Sequence, residues 1–188
     1  MADYSLFDFD EFMNQFCERP DVPLVPVAME IATDRPEFGC WDWELRFSEQ
    51  AYRHGRVADM GVGEGREWQV LLGMSEPVDP IPDLHEFVKF LGGDDEYLVW
   101  GVDEENSCIV LQVWPLGRNI QLRVFSKGYA RDFSHDFLLD RRHFHDVMAR
   151  AYHSFGKQGG WNAYGYMEWD DDTAVRIARQ DVGASDRN

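Results

Sequence analysis

Residues 96–125, with the sequence EYLVWGVDEENSCIVLQVWPLGRNIQLRVF, decide the fold. Three runs rich in β-branched and aromatic residues are separated by two turn-like segments, DEEN and PLGR. Strands joined by loops this short must run antiparallel, because a parallel return needs a crossover of about a dozen residues. In the third run Ile120, Leu122 and Val124 alternate with Gln121 and Arg123, so one face of the sheet meets a core. The stretch predicts an antiparallel meander.

The rest of the chain adds further strands and amphipathic helices. CWDWELRF, residues 40–47, alternates apolar and polar residues and predicts a strand with one wet face, and EWQVLLG, residues 67–73, is a second candidate strand. Helical spacing of apolar residues predicts helices over about 5–19, 82–91 and 140–155, and DDDTAVRIARQ, residues 170–180, predicts a short capped helix. The predicted fold class is therefore α+β, an antiparallel meander sheet covered by amphipathic helices.

The length and composition favour one folded domain. A chain of 188 residues is close to the size that a single hydrophobic core serves well, and 44% of its residues are apolar. We expect one α+β domain over residues 1–182, followed by a polar tail at 183–188.

The strongest compositional feature is a net charge of −17. Residues 1–105 contain 25 acidic and 7 basic residues, whereas residues 106–157 contain 4 acidic and 8 basic ones. Such a charge repels nucleic-acid phosphates and anionic membranes and speeds encounters with cationic partners. It therefore favours a basic protein partner over direct contact with nucleic acid or membrane. The alternative is that the acidic residues only keep the protein soluble.

The sequence also predicts the compartment. The first residues, MADYSLFDFDEF, are acidic where a secretory signal is basic, and no stretch reaches the length of a membrane span. Cys17, Cys40 and Cys108 are too few and too widely spaced for a disulfide framework or a metal knuckle. We expect a cytoplasmic protein with reduced thiols.

The stretch LLDRRHFHDVMARAYHSF, residues 138–155, raises the question of a metal or acid–base site because it contains three histidines. On a helix His143 and His145 lie about 200° apart, and His153 lies about 12 Å along the axis from His145, so the three cannot share one metal. We expect them on solvated flanks of the helix. No G-x-S-x-G, H-E-x-x-H or P-loop pattern is present. The sequence predicts no metal site, no cofactor and no catalytic residues.

Three classes of function fit these observations. The favoured one is a non-catalytic acidic protein that neutralises a basic partner, as immunity or antitoxin proteins of bacterial toxin systems do, the partner then being a secreted toxin domain. The alternatives are an enzyme whose site forms only in three dimensions and a nucleic-acid mimic that inhibits a DNA-binding protein. Two acidic clusters that bracket one strand, and aromatic residues among glycines in GGWNAYGYMEW, are the candidate contacts. The predicted partner-binding residues are Asp94, Asp95, Glu96, Asp103, Glu104, Glu105, Trp161, Tyr164, Tyr166 and Trp169.

Overall fold

The computed structural model describes residues 18–33, 40–54, 56–58, 65–75, 84, 87, 88, 91, 97–104, 107–128 and 133–157. Seven of the strands in these ranges form one sheet in the order β5-β2-β1-β9-β8-β7-β6, and β3 and β4 form a two-stranded ribbon. No helix in the same ranges is both long and apolar enough to cross a membrane. The elements are β1 (Val25–Thr33), β2 (Cys40–Glu49), β3 (Ala51–Arg53), β4 (Arg56–Ala58), β5 (Glu67–Ser75), β6 (Leu98–Glu104), β7 (Ser107–Leu116), β8 (Asn119–Gly128), β9 (Phe133–Asp140) and the helix α1 (Arg141–Lys157).

The predicted meander is present. β6, β7 and β8 are consecutive antiparallel neighbours, and β9 continues them on the far side of β8. The turn between β7 and β8 contains only Gly117 and Arg118, because Leu116 pairs with Asn119. Gly117 has a φ of 64°, a left-handed conformation that glycine adopts without steric cost and that tight hairpins require.

The predicted fold class is wrong. The described residues form mainly one mixed β-sheet with a single continuous helix, instead of an antiparallel sheet covered by several helices. The sheet is mixed because β1 runs parallel to β9, where Val25 pairs with Phe137 and Pro26 with Leu138. The sequence reasoning missed β1 because prolines interrupt it, but Pro26 lies near the start of the strand, where a missing N–H is tolerated. The helix predicted over 170–180 and residues 5–17 of the helix predicted over 5–19 lie outside the described residues, and residues 18 and 19 are not helical.

One core joins both halves of the sheet. The prediction of a strand with one wet face at residues 40–47 is confirmed, since Trp43, Leu45 and Phe47 are buried. Trp43 lies 5.9 Å from the ring of Trp100 on β6, and Phe47 stacks on Phe137 of β9 at 4.5 Å. Stacked and tilted aromatic pairs of this kind add to the stability that area burial provides.

Helical segments close the core. The buried stripe predicted for α1 is present. Residues 84, 87 and 88 are also helical, and the Leu91 N–H donates to the Phe87 carbonyl at 3.0 Å. Asp140 caps α1, since its Oδ1 accepts a hydrogen bond from the His143 N–H at 3.0 Å. The buried side chains at these positions are Leu84, Phe87, Val88, Leu91, Phe144, His145, Val147, Met148, Ala149, Ala151 and Tyr152.

α1 also contacts the point where β1 separates from β9. Those two strands pair at two positions only, so the backbone of β1 beyond Pro26 needs other partners. The Nε2 atom of His143 lies 3.2 Å from the Met29 N and 2.9 Å from the Met29 O. His143 therefore connects α1 to the backbone of β1 at the place where β1 and β9 no longer pair.

Candidate partner-binding surfaces

Two of the ten predicted contact residues fall in the described ranges. Asp103 and Glu104 are the last residues of β6 and pair in register with Cys108 and Ser107 of β7, so they belong to an edge strand instead of a loop. Whether both acidic clusters contact one partner stays a prediction. The other eight lie outside the described residues: Asp94, Asp95, Glu96, Glu105, Trp161, Tyr164, Tyr166 and Trp169.

A different acidic surface lies on the outer side of β1, β2 and β5, opposite the core. Successive residues of a strand point to opposite faces, so the polar residues that alternate with the core residues gather on this side. Leu71, near the middle of β5, is 58% exposed among them. We call this surface the acidic face; its residues are Glu30, Ala32, Asp42, Glu44, Arg46, Glu67, Gln69 and Leu71.

The outer side of β7 and β8 is different. Most of its side chains are buried, including the polar Gln112 and Gln121, which are 1% and 0% exposed, and Arg123 and Phe125 are partly buried. Asp136 of β9 accepts hydrogen bonds there from Gln121 at 3.0 Å and from Arg123 at 3.0 Å. Among the described strands, the acidic face is thus the broad outer surface that is open to solvent.

The acidic face also carries one basic side chain, that of Arg46. Arg46 donates to the Glu44 carboxylate at 2.6 Å, and it lies directly across from Glu30 on β1. The hydrogen bond from Arg46 lowers the pKa of Glu44, and the same bond raises the pKa of Arg46, with smaller contributions from the charges of Glu30 and Glu67. The face retains a net negative charge because four carboxylates, counting Asp42, surround this one guanidinium.

A second ion pair lies at the end of the sheet where β2 ends and β5 begins. The Arg66 guanidinium donates from Nε to Glu49 Oε2 at 3.0 Å and from Nη2 to Oε1 at 3.3 Å. Its Cζ atom also lies 5.3 Å from the ring centroid of Trp68. The hydrogen bonds from Arg66 lower the pKa of Glu49, first through the side chain and then through the backbone N–H. A carboxylate and an aromatic face together form a typical environment for a guanidinium.

Aromatic rings support this ion pair from the core side. The Trp68 ring meets Phe137 edge-on at 5.3 Å and lies 6.3 Å from His135. Phe133 stacks on His135 at 5.5 Å. Trp68, His135 and Phe133 are each partly exposed, so the aromatic core reaches the surface beside Arg66. The sequence reasoning missed this cluster, although alternation of Phe133, His135 and Phe137 is a strand signal.

The histidines of α1 are not on solvated flanks as predicted. His145 is 5% exposed, and His143 is partly buried against Met29. The helix packs against β1, β8 and β9, so its buried arc is wider than the apolar stripe alone. Within the described ranges no group of three or more His, Cys, Asp or Glu side chains is placed to hold a metal ion.

Comparisons with known proteins give little. No family model matches the chain, and no curated protein matches it. A solved structure described as the plant transcriptional regulator PBF-2 is similar at a TM-score of 0.39 and 13% identity, over 71% of this chain and 75% of that one. A similarity this low carries no argument about fold or function.

Proposed function

We propose that this chain is a non-catalytic acidic binding protein that neutralises a basic partner, of the immunity or antitoxin type found in bacterial toxin systems, and that it acts in the cytoplasm. The observation that supports this proposal best is the open acidic face. A broad sheet surface with four carboxylates, one paired guanidinium and an exposed leucine combines electrostatic attraction with an apolar contact.

The dimensions of the acidic face fit part of a protein interface. Three strands spaced about 4.8 Å apart, each about 30 Å long, present roughly 400 Å² of surface. A standard interface buries about 800 Å² on each partner, so this face supplies about half and neighbouring surface the rest. Leu71 on the edge strand β5, which pairs with Glu44 of the central strand β2, offers an apolar contact beside the carboxylates.

The charge pattern favours recognition by attraction. Carboxylates exposed around an interface act mainly on the association rate and on its salt dependence, because they steer the partner before contact. The acidic face has exposed acids on three strands, with Arg46 as its own basic residue. A basic protein domain is the class of partner that this pattern attracts.

The test compares two triple variants with the same change of charge. One replaces Glu30, Asp42 and Glu67 on the acidic face by Gln, Asn and Gln. The control replaces Glu18, Asp21 and Asp146, which are exposed elsewhere, in the same way. A basic partner is captured from the native host with the wild-type chain, and association and dissociation rates are measured at low and high salt.

We expect the acidic-face variant to associate about tenfold more slowly than wild type at low salt, and the difference to shrink at high salt as screening increases. The association rate of the control variant at low salt should fall much less. Equal rates for the two variants, or a captured partner that is neutral or acidic, would show that the charge serves solubility alone.

A further inference from the structure

The contacts of Arg66 differ from those of an ordinary surface ion pair. Its side chain is 68% exposed, yet it meets both a carboxylate, with two hydrogen bonds, and the face of an aromatic ring. By contrast, Arg118 at the β7–β8 turn is also exposed, at 56%, but its guanidinium makes one long bond to Asp140 at 3.4 Å and lies over no aromatic ring of the described residues. The end of the sheet thus has the carboxylate acceptor and the aromatic ring that proteins use to recognise arginine.

Most of this site does not depend on the Arg66 side chain. The backbone N–H of Arg66 donates to Glu49 Oε2 at 3.2 Å, and the Glu49 N–H donates to the Arg66 carbonyl at 2.9 Å. These main-chain bonds hold the carboxylate in place whatever side chain residue 66 has. Gly65 allows the close approach, since a Cβ atom there would lie 2.8 Å from the Cβ of Glu49.

The ring is held independently as well. Trp68 is fixed by its edge contact with Phe137 and its contact with His135, both on β9. Removal of the Arg66 side chain would therefore leave a carboxylate and an indole face still in position. Groups that are fixed before binding avoid the entropic cost of ordering them when a ligand arrives.

We propose that Glu49 and Trp68 form a guanidinium-binding site that the chain's own Arg66 occupies in the free protein, and that an arginine of the basic partner takes its place in the complex. This inference rests on the proposed function and names one chemical group that the partner must present. Exposed ion pairs are weak, so exchanging one arginine for another costs little. The site lies at the same end of the edge strand β5 as Glu67, but its side chains project from the opposite side of the strand to the acidic face, so a partner that contacts both reaches around this edge.

The first experiment uses L-arginine amide as the probe and L-citrulline amide, which has the same shape without the charge, as its control. Binding is followed by NMR at the indole N–H of Trp68 and the backbone N–H of residue 66. We expect Arg66→Ala to bind L-arginine amide about fivefold more tightly than wild type, because the internal competitor is gone. Adding Glu49→Gln to that variant should abolish binding, and citrulline amide should not bind.

Arg118→Ala is the matched control, since it removes the same charge from an exposed ion pair without an aromatic ring. It should bind L-arginine amide as wild type does. If Arg118→Ala gains as much as Arg66→Ala, or if the shifts occur away from Trp68, the attraction is general and the site does not exist. Thermal melting of each variant confirms that it is folded.

A second experiment separates this inference from the proposed function. With the captured basic partner, Arg66→Ala should bind more tightly than Arg118→Ala, and the added Glu49→Gln change should reverse the gain. In one outcome, the partner's affinity depends on the acidic face and yet is unchanged by Arg66→Ala and by the added Glu49→Gln. That result overturns the guanidinium site and leaves the proposed function standing. If L-arginine amide binds at Trp68 but no basic protein binds the chain, the proposed function fails, and the partner role of the site fails with it.

Discussion

Asp136 on β9 offers a sharp test of how the outer side of β8 and β9 is stabilised. Its carboxylate accepts from Gln121 Nε2 at 3.0 Å, from Arg123 Nε at 3.0 and 3.2 Å, and from Arg123 Nη2 at 3.0 Å. The Asp136 side chain is 12% exposed and that of Arg123 is 23% exposed. Gln121 also donates to the Pro20 carbonyl at 3.3 Å, so this network ties the segment before β1 to the sheet.

The magnitude follows from the burial of the groups that would lose their partner. Removing one member of a fully buried ion pair costs about 3–5 kcal/mol, and breaking an exposed pair costs about 0–1 kcal/mol. In Asp136→Ala, Arg123 can turn towards water because it is partly exposed. The Gln121 amide nitrogen keeps only its longer bond to the Pro20 carbonyl, while its oxygen still accepts from Arg19 at 3.4 Å. We expect the free energy of unfolding to fall by about 2–3 kcal/mol and the melting temperature by about 5–10 °C.

The assay is urea unfolding followed by far-UV circular dichroism, with Arg118→Ala as the control for an exposed pair. The midpoint should fall in Asp136→Ala while the slope stays unchanged, because a change of slope would indicate an altered unfolded state. An Arg123→Met, Asp136→Leu double variant should recover much of the loss, since it leaves no unpaired charge. A loss no larger than that of Arg118→Ala would refute the reasoning that burial makes this network important.

Three further predictions concern single groups. The pKa of Glu49 should lie below its ordinary value of 4.5, so its ion pair with Arg66 stabilises the fold above pH 4.5 and this stabilisation is lost as the pH falls through the lowered pKa. In Arg66→Ala the pKa of the Glu49 carboxyl, followed by NMR, should rise, and an unchanged pKa would contradict the hydrogen bond. His143→Ala should lower the free energy of unfolding by about 1–2 kcal/mol, because the Met29 backbone loses its partner, and an unchanged urea midpoint would count against that role. His54 has a φ of 53° in the β3–β4 turn, a conformation that glycine adopts more easily, so His54→Gly should raise the free energy of unfolding by about 0.5 kcal/mol. A lower free energy of unfolding would show that the His54 side chain itself stabilises the turn.

The sequence predicted the elements whose signal is local. Alternation predicted β2, and short turns predicted the antiparallel arrangement of β6, β7 and β8, because period two and loop length are properties of neighbouring residues. The parallel join of β1 to β9 could not be read in this way. It depends on Val25 and Phe137, which are 112 positions apart, and nothing in either segment specifies the other. The error in fold class came from this join and from the two strands that make it.

The burial of His145 shows the same limit on a smaller scale. A helical wheel separates the residues of one helix by angle, but it does not contain the width of the surface on which the helix packs. Ala149, one turn after His145 on the same flank, is 7% exposed. The neighbouring strands therefore cover this flank as well as the apolar stripe, and that is a property of the sheet.

The acidic face was missed for a related reason. Neighbouring acids such as Asp103 and Glu104 attract attention in a sequence, but successive residues in a strand point to opposite faces, so a run does not concentrate charge on one side of a sheet. Charge concentrates where acids recur at every second position and where register brings neighbouring strands together. Glu30 and Glu44 are 14 residues apart in the chain and come onto one surface because β1 pairs with β2. The useful signal is therefore the acid at alternate positions of an amphipathic strand, and its meaning depends on which strands pair.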